Sequence, residues 1–177
     1  MTELFNKCYD ILLKNEGGYV NDPDDSGGET YKGISRNNWP DWNGWAYIDE
    51  CKKLDSFPKN IPNKWIDSKV KEFYFNKFWK PLKTDNFTNE LLILHLFDFA
   101  VNAGIGIAIK TLQKAVNVNI DGSIGKQTIE AVNNDLQIVE KYIAQRIEHY
   151  NNIIEKRPSS IKYLKGWIKR TNELKFI

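Results

Sequence analysis

The sequence predicts a mainly α protein, a helical bundle with a short β-hairpin or loop beside its first helix. Three observations carry that expectation. Apolar residues recur at helical spacing in segment after segment of the chain. Residues 21–35 instead concentrate Asn, Asp, Pro, Ser and Gly, the composition of a structured loop. With 41% hydrophobic and 27% charged residues, the chain of 177 residues has the makeup of a folded protein rather than a disordered one.

The elements follow in order. Leu4, Cys8, Ile11 and Leu12 share one helical face, which predicts a helix over residues 3–15, and Gly17 and Gly18 supply stop chemistry. A short hairpin is expected near Thr30–Ser35. Residues 37–63 mix Pro, Gly and three Trp without a clear period, so loops with short helical turns are expected there. Ile66, Val70, Phe73, Tyr74 and Phe78 mark a helix that Pro81 ends. Leu91 to Val101 is apolar nearly all round, interrupted by His95 and Asp98, as in a helix buried within a bundle. Ala108, Leu112, Ala115 and Val116 form another face, followed by a turn at Asp121-Gly122. Leu136, Val139, Tyr142, Ile143, Ile147, Tyr150 and Ile154 define a long amphipathic helix, broken at Pro158. Ile161, Leu164, Trp167 and Ile168 suggest a final helix. We read residues 1–89 and 90–177 as two segments packed as one unit.

Composition narrows the function classes. The 25 basic residues nearly balance 23 acidic ones, and a net charge of +2 gives no argument for nucleic acid. Two cysteines, Cys8 and Cys51, and two histidines show no metal-ligand spacing, so reduced structural thiols and neither metal nor cofactor are expected. No apolar run approaches the roughly 20 residues of a membrane span. Met1 to Leu13, with Glu3, Lys7 and Asp10, reads as an amphipathic helix rather than a signal peptide. Synthesis in the cytoplasm and a monomeric state are the corresponding expectations.

The most informative stretch runs from Glu16 to Ser35. Glu16 falls at the C-terminal end of the first predicted helix, where the macrodipole disfavours a carboxylate by some tenths of a kcal/mol. A negative helix end combined with partial burial favours the protonated form of a carboxyl, which is what a general acid needs. A solvated surface glutamate is the competing reading. Asp22, Asp24 and Asp25 follow on a loop flanked by Gly17-Gly18 and Gly27-Gly28, and glycosidases usually employ two carboxyl groups. Such acids also serve as turn-formers. A calcium loop is disfavoured, because the position of the bidentate Glu holds Gly33, and in the similar Asn117–Asp121 stretch it holds Thr128.

Glu16-Gly17-Gly18-Tyr19, then Asp22-Pro23-x-Asp25-x-Gly27-Gly28-x-Thr30, then Gly33-Ile34, closely resembles the signature of glycoside hydrolase family 108. Ser26 departs from the Pro usual there. The helix end Phe73 to Pro81, the segment Phe97 to Gly104, the turn Asp121 to Thr128 and Lys165 to Arg170 extend the likeness over nearly the whole chain, the second half resembling a peptidoglycan-binding segment. The resemblance implies a lysozyme-like fold and N-acetylmuramidase activity on peptidoglycan glycan strands, with Glu16 as catalytic acid. Some members of that family are phage endolysins and some are described as secretion activators.

The order Glu16, Asp25, Thr30 is also similar to phage-type lysozymes, and by that analogy Asp25 and Thr30 position or activate water. Asp22 is the alternative second carboxylate. Tyr19, Trp79, Asp98 and Asn102 are the expected substrate contacts, although Asp98 and Asn102, four apart on an apolar helix, fit a buried network that ties down the Glu16 loop equally well. Trp39, Trp42 and Trp45 are candidate sugar platforms, and His95 reads as a core histidine. A non-catalytic cell-wall-binding or secretion-regulating protein is the alternative. In either case the site of action is the cell wall, reached through a holin, a secretion system or lysis.

Overall fold

A computed structural model describes residues 1–14, 16–22, 28–58, 61 and 64–176. Among these the protein is mainly α, with eight α-helices and a small antiparallel sheet of strand order β1-β2-β3. The chain divides into two compact units, Met1–Lys77 and Phe78–Ile177.

In the first unit, helix α1 spans Glu3–Leu13, and the Thr2 hydroxyl accepts from the Phe5 amide at 3.2 Å to cap its start. Its face of Phe5, Cys8, Tyr9 and Leu12 is buried. The helix closes differently from the glycine stop that the sequence suggested. Lys14 is right-handed and its amide returns to Ile11, while the Glu16 amide reaches the Leu13 carbonyl at 3.2 Å. Neither Gly17 nor Gly18 adopts a positive φ. Glu16 therefore lies in the turn beyond the helix.

Strands β1 (Tyr19–Asn21), β2 (Glu29–Tyr31) and β3 (Ile34–Ser35) pair antiparallel, Tyr19 opposite Tyr31 and Tyr31 opposite Ile34. The expected hairpin is present, with Lys32 and Gly33 as its two-residue turn. Their φ values of 45° and 79° are the doubly left-handed pattern that suits strand twist. Residues 44–51 depart from the loop expectation. Helix α2 (Gly44–Cys51) forms because Trp45, Ile48 and Cys51 recur every three residues and all are buried. Helix α3 (Lys64–Tyr74) buries Ile66, Val70, Phe73 and Tyr74, then loosens into a π-helical turn over Phe75–Trp79. Phe73 and Trp42 pack edge-on, and Tyr31 stacks near Trp42 at 6.3 Å, so the sheet and α3 share aromatic packing.

In the second unit, α4 (Glu90–Ala103) is capped by the Asn89 side chain, which accepts from the Leu92 amide at 3.0 Å. Its residues Leu92 to Ala100 are all buried, as the all-round apolar pattern predicted. Gly104, at φ 96°, lets the chain turn directly into α5 (Ile105–Ala115). The Asp121-Gly122 turn is closed by Gln113, which donates to Asp121 at 2.7 Å and accepts from the Gly122 amide at 2.8 Å. Helices α6 (Lys126–Asn133), α7 (Ile138–Lys156) and α8 (Ile161–Glu173) follow, with α4, α5 and α7 packed on one another and α8 on α7. Among the described residues no helix is long and apolar enough to cross a membrane.

Candidate active site

The β2–β3 turn organises the site. The Lys32 amide donates to the Gly18 carbonyl at 3.1 Å, which presses the turn against the segment that carries Glu16. From α3, the Tyr74 hydroxyl donates to the Lys32 carbonyl at 2.8 Å. A Cβ built on Gly33 would lie 2.6 Å from Glu16 Oε2 and would overlap the Tyr74 hydroxyl. Three segments thus converge on the half-buried Glu16 carboxyl: the end of α1, the hairpin turn and the last turn of α3. The missing side chain at Gly33 makes room for the acid.

A cleft of about 510 Å³ opens beside this point, lined by Gly18, Tyr19, Tyr31, Lys32, Pro58 and Asp67 among others. Lys32 pairs with Asp67 at 2.5 Å across its wall. Tyr19 contributes both ring and hydroxyl. The ring meets Phe57 edge-on at 4.5 Å, and burial, with a hydrogen bond to Glu29, pushes its phenol above the ordinary value. Glu29 itself is spoken for by Arg36 at 2.7 Å and Lys52 at 2.6 Å. Arg36 also grips Asp49 through two nitrogens, and that hydrogen bonding holds Asp49 below the usual carboxylate range. This network fastens β2 to α2 and engages both carboxylate oxygens of Glu29.

Thr30 lies on β2 opposite Val20, and its hydroxyl donates to the Gly28 carbonyl at 3.2 Å. Asp22 is exposed just beyond β1, at the strand end away from Lys32. Three strand residues separate that end from Gly18, roughly 10 Å of backbone. Asp25 lies outside the described residues, as do Pro23, Asp24, Ser26 and Gly27. Trp42 and Trp45 are buried, whereas half-buried Trp39 lines a second cavity of about 440 Å³ with Asp41, Asn43 and Glu72.

The remaining expected contacts sit in the second unit. Trp79 is 3% exposed and packs edge-on against Phe97 at 5.2 Å. Asp98 is fully buried between Arg146, at 2.6 Å, and Arg170, at 2.9 Å. Asn102 accepts from the Tyr150 hydroxyl at 3.1 Å and faces a cavity. This network joins Asp98 to arginines of α7 and α8, partners that the sequence did not point to. His95 is buried, and burial together with the nearby Arg146 charge lowers its pKa to about 4. Cys8 and Cys51 are both free and buried.

Two groups at the site escaped sequence reasoning in these roles, the Tyr74 hydroxyl and the Lys32 carbonyl it holds. Tyr74 belongs to an apolar helical stripe, and nothing in a stripe tells where a phenol oxygen ends.

The family model described as Glycosyl hydrolase 108 matches residues 9–104, a span that contains Glu16, the hairpin and Tyr74. The chain belongs to glycosyl hydrolase family 108. A second family model, described as Predicted Peptidoglycan domain, matches residues 107–172 of this family 108 chain. Among solved structures, SagA of Brucella abortus is similar, with 26% sequence identity and a TM-score of 0.69 over 95% of this chain and 89% of that one. No curated protein sequence matches. A cell-wall-related, lysozyme-like glycosyl hydrolase with peptidoglycan as its partner is the function these matches support.

Proposed function

We propose that the protein is an N-acetylmuramidase that hydrolyses the β-1,4 bond between N-acetylmuramic acid and N-acetylglucosamine, with Glu16 as general acid. The observation that carries this reading is the convergence of the segment after α1, the Lys32-Gly33 turn and Tyr74 on one half-buried carboxyl, beside a cleft that Gly18 and Lys32 line. Glu16 protonates the glycosidic oxygen as the bond to the sugar breaks. A second carboxylate activates water or attacks the sugar carbon. Asp25 is our first choice for that role and Asp22 the second, with Thr30 orienting the water. Tyr19, on the cleft wall, contacts the sugar. The enzyme acts on the cell wall after export, in lysis of phage type or in wall remodelling for secretion.

Reducing-end release from purified peptidoglycan tests this. Glu16→Gln should lower the rate by roughly 10²–10⁴-fold while leaving the fold intact. A variant as active as the parent would remove Glu16 from the mechanism. A second reading is a wall-binding or secretion-regulating protein without catalysis, and the match to a peptidoglycan domain supports its wall-binding part. That protein would sediment with peptidoglycan and release no reducing sugar.

A further inference from the structure

The second unit holds a cavity of about 230 Å³ lined by Asn102, Tyr150, Ile107, Ile153, Arg157 and Trp167, together with His149 and Ala103. Sites for whole small molecules usually measure about 300–1,000 Å³, so this one fits the end of a ligand rather than its length.

A buried relay sets its polarity. Asp98 fixes the Arg146 guanidinium, whose Nε donates to the Tyr150 hydroxyl at 2.9 Å. A guanidinium has no lone pair to accept with, so the Tyr150 proton must go elsewhere. It goes to Asn102 Oδ1 at 3.1 Å. The Asn102 amide is thereby oriented, with its NH2 group on the side away from Tyr150 and available to an acceptor in the cavity. Arg157 stands at the rim, exposed, with no carboxylate within ion-pairing distance among the described residues. His149 is held mainly neutral by burial and by the charge of Lys156, which leaves Arg157 as the cation of the cavity. Trp167, stacked on Tyr150 at 5.1 Å, and the two isoleucines supply apolar wall.

We propose that this cavity binds the C-terminal end of a peptidoglycan stem peptide, with Arg157 on the free carboxylate and the Asn102 amide on the preceding carbonyl. The isoleucine wall takes the small terminal side chain. A cation, an oriented donor and a small apolar wall suit a peptide terminus. An unsubstituted N-acetylglucosamine chain has no carboxylate to offer Arg157. The proposal rests on the reading that peptidoglycan is the ligand, but it is independent of catalysis by Glu16.

Titration of the full-length protein with diacetylated lysyl-D-alanyl-D-alanine, as free acid and as C-terminal carboxamide, followed at the Trp167 indole by NMR, tests it. The acid should bind at least roughly tenfold more tightly, the worth of one charge-assisted contact. Arg157→Gln should bring the two forms to near parity. Asn102→Ala should weaken both about equally. Equal binding of acid and carboxamide by the parent protein would overturn the proposal. So would a preference that survives Arg157→Gln, or a response to N-acetylglucosamine oligosaccharides alone. Glu16→Gln should bind the tripeptide like the parent. Loss of sugar release with intact carboxylate preference, or the reverse, therefore separates the two proposals.

Discussion

The Glu16 carboxyl rests against the backbone of Gly33, so closely that a methyl group there would sit 2.6 Å from Glu16 Oε2. Gly33→Ala should therefore fail twice. Its φ of 79° strains any residue with a Cβ, and the new methyl displaces the acid. We expect a stability loss of about 1–3 kcal/mol by thermal unfolding, and a loss of peptidoglycan hydrolysis far larger than that destabilisation accounts for.

Tyr74→Phe separates positioning from packing. The ring stays in the core, while the Lys32 carbonyl loses a donor at 2.8 Å, at a cost of about 1 kcal/mol in stability. Because that bond steadies the turn that faces Glu16, kcat should fall roughly tenfold with KM little changed, measured on soluble peptidoglycan fragments. An unchanged kcat would reduce Tyr74 to a core residue.

Asp98 is the shared anchor of two arginines, one of them fully enclosed. Asp98→Asn should cost about 3–5 kcal/mol in chemical denaturation, since it leaves Arg146 charged and unpaired in the interior. Removing both partners, as Asp98→Leu with Arg146→Met, should recover part of that loss.

Acid should destabilise the protein through His95. In the folded chain it takes up its proton only near pH 4, whereas the unfolded chain does so near its ordinary value of 6.5. Between these values protons favour the unfolded chain, so stability falls as pH drops from about 6.5 to about 4. Above that window His95 has no effect. The loss is at most about 3 kcal/mol, and His95→Gln should flatten this limb of the stability–pH curve.

Much of this was legible in the chain because its causes are local. The hairpin near Thr30–Ser35 follows from a stretch rich in turn-forming residues, and α4 from an apolar run with no polar face. Helix α2 was missed: Trp45, Ile48 and Cys51 recur every three residues, but Pro and Trp nearby masked the period. What stayed hidden depends on distant partners. Arg146 shares a helical face with Tyr142 and Tyr150, yet its ion pair with Asp98 joins residues 48 apart. Trp79 gave no sign that it would be enclosed, since a tryptophan suits a core and a sugar platform alike. Glu16 and Gly33 belong to the same motif, but only the fold brings the Gly33 backbone and the Tyr74 hydroxyl against the Glu16 carboxyl.

Mass spectrometry of peptidoglycan digested by the protein decides directly whether Glu16 drives muramidase cleavage. A muramidase with Glu16 as its acid yields fragments with N-acetylmuramic acid at the reducing end, absent from a Glu16→Gln digest. Fragments with N-acetylglucosamine at the reducing end, or free stem peptides, would contradict that assignment.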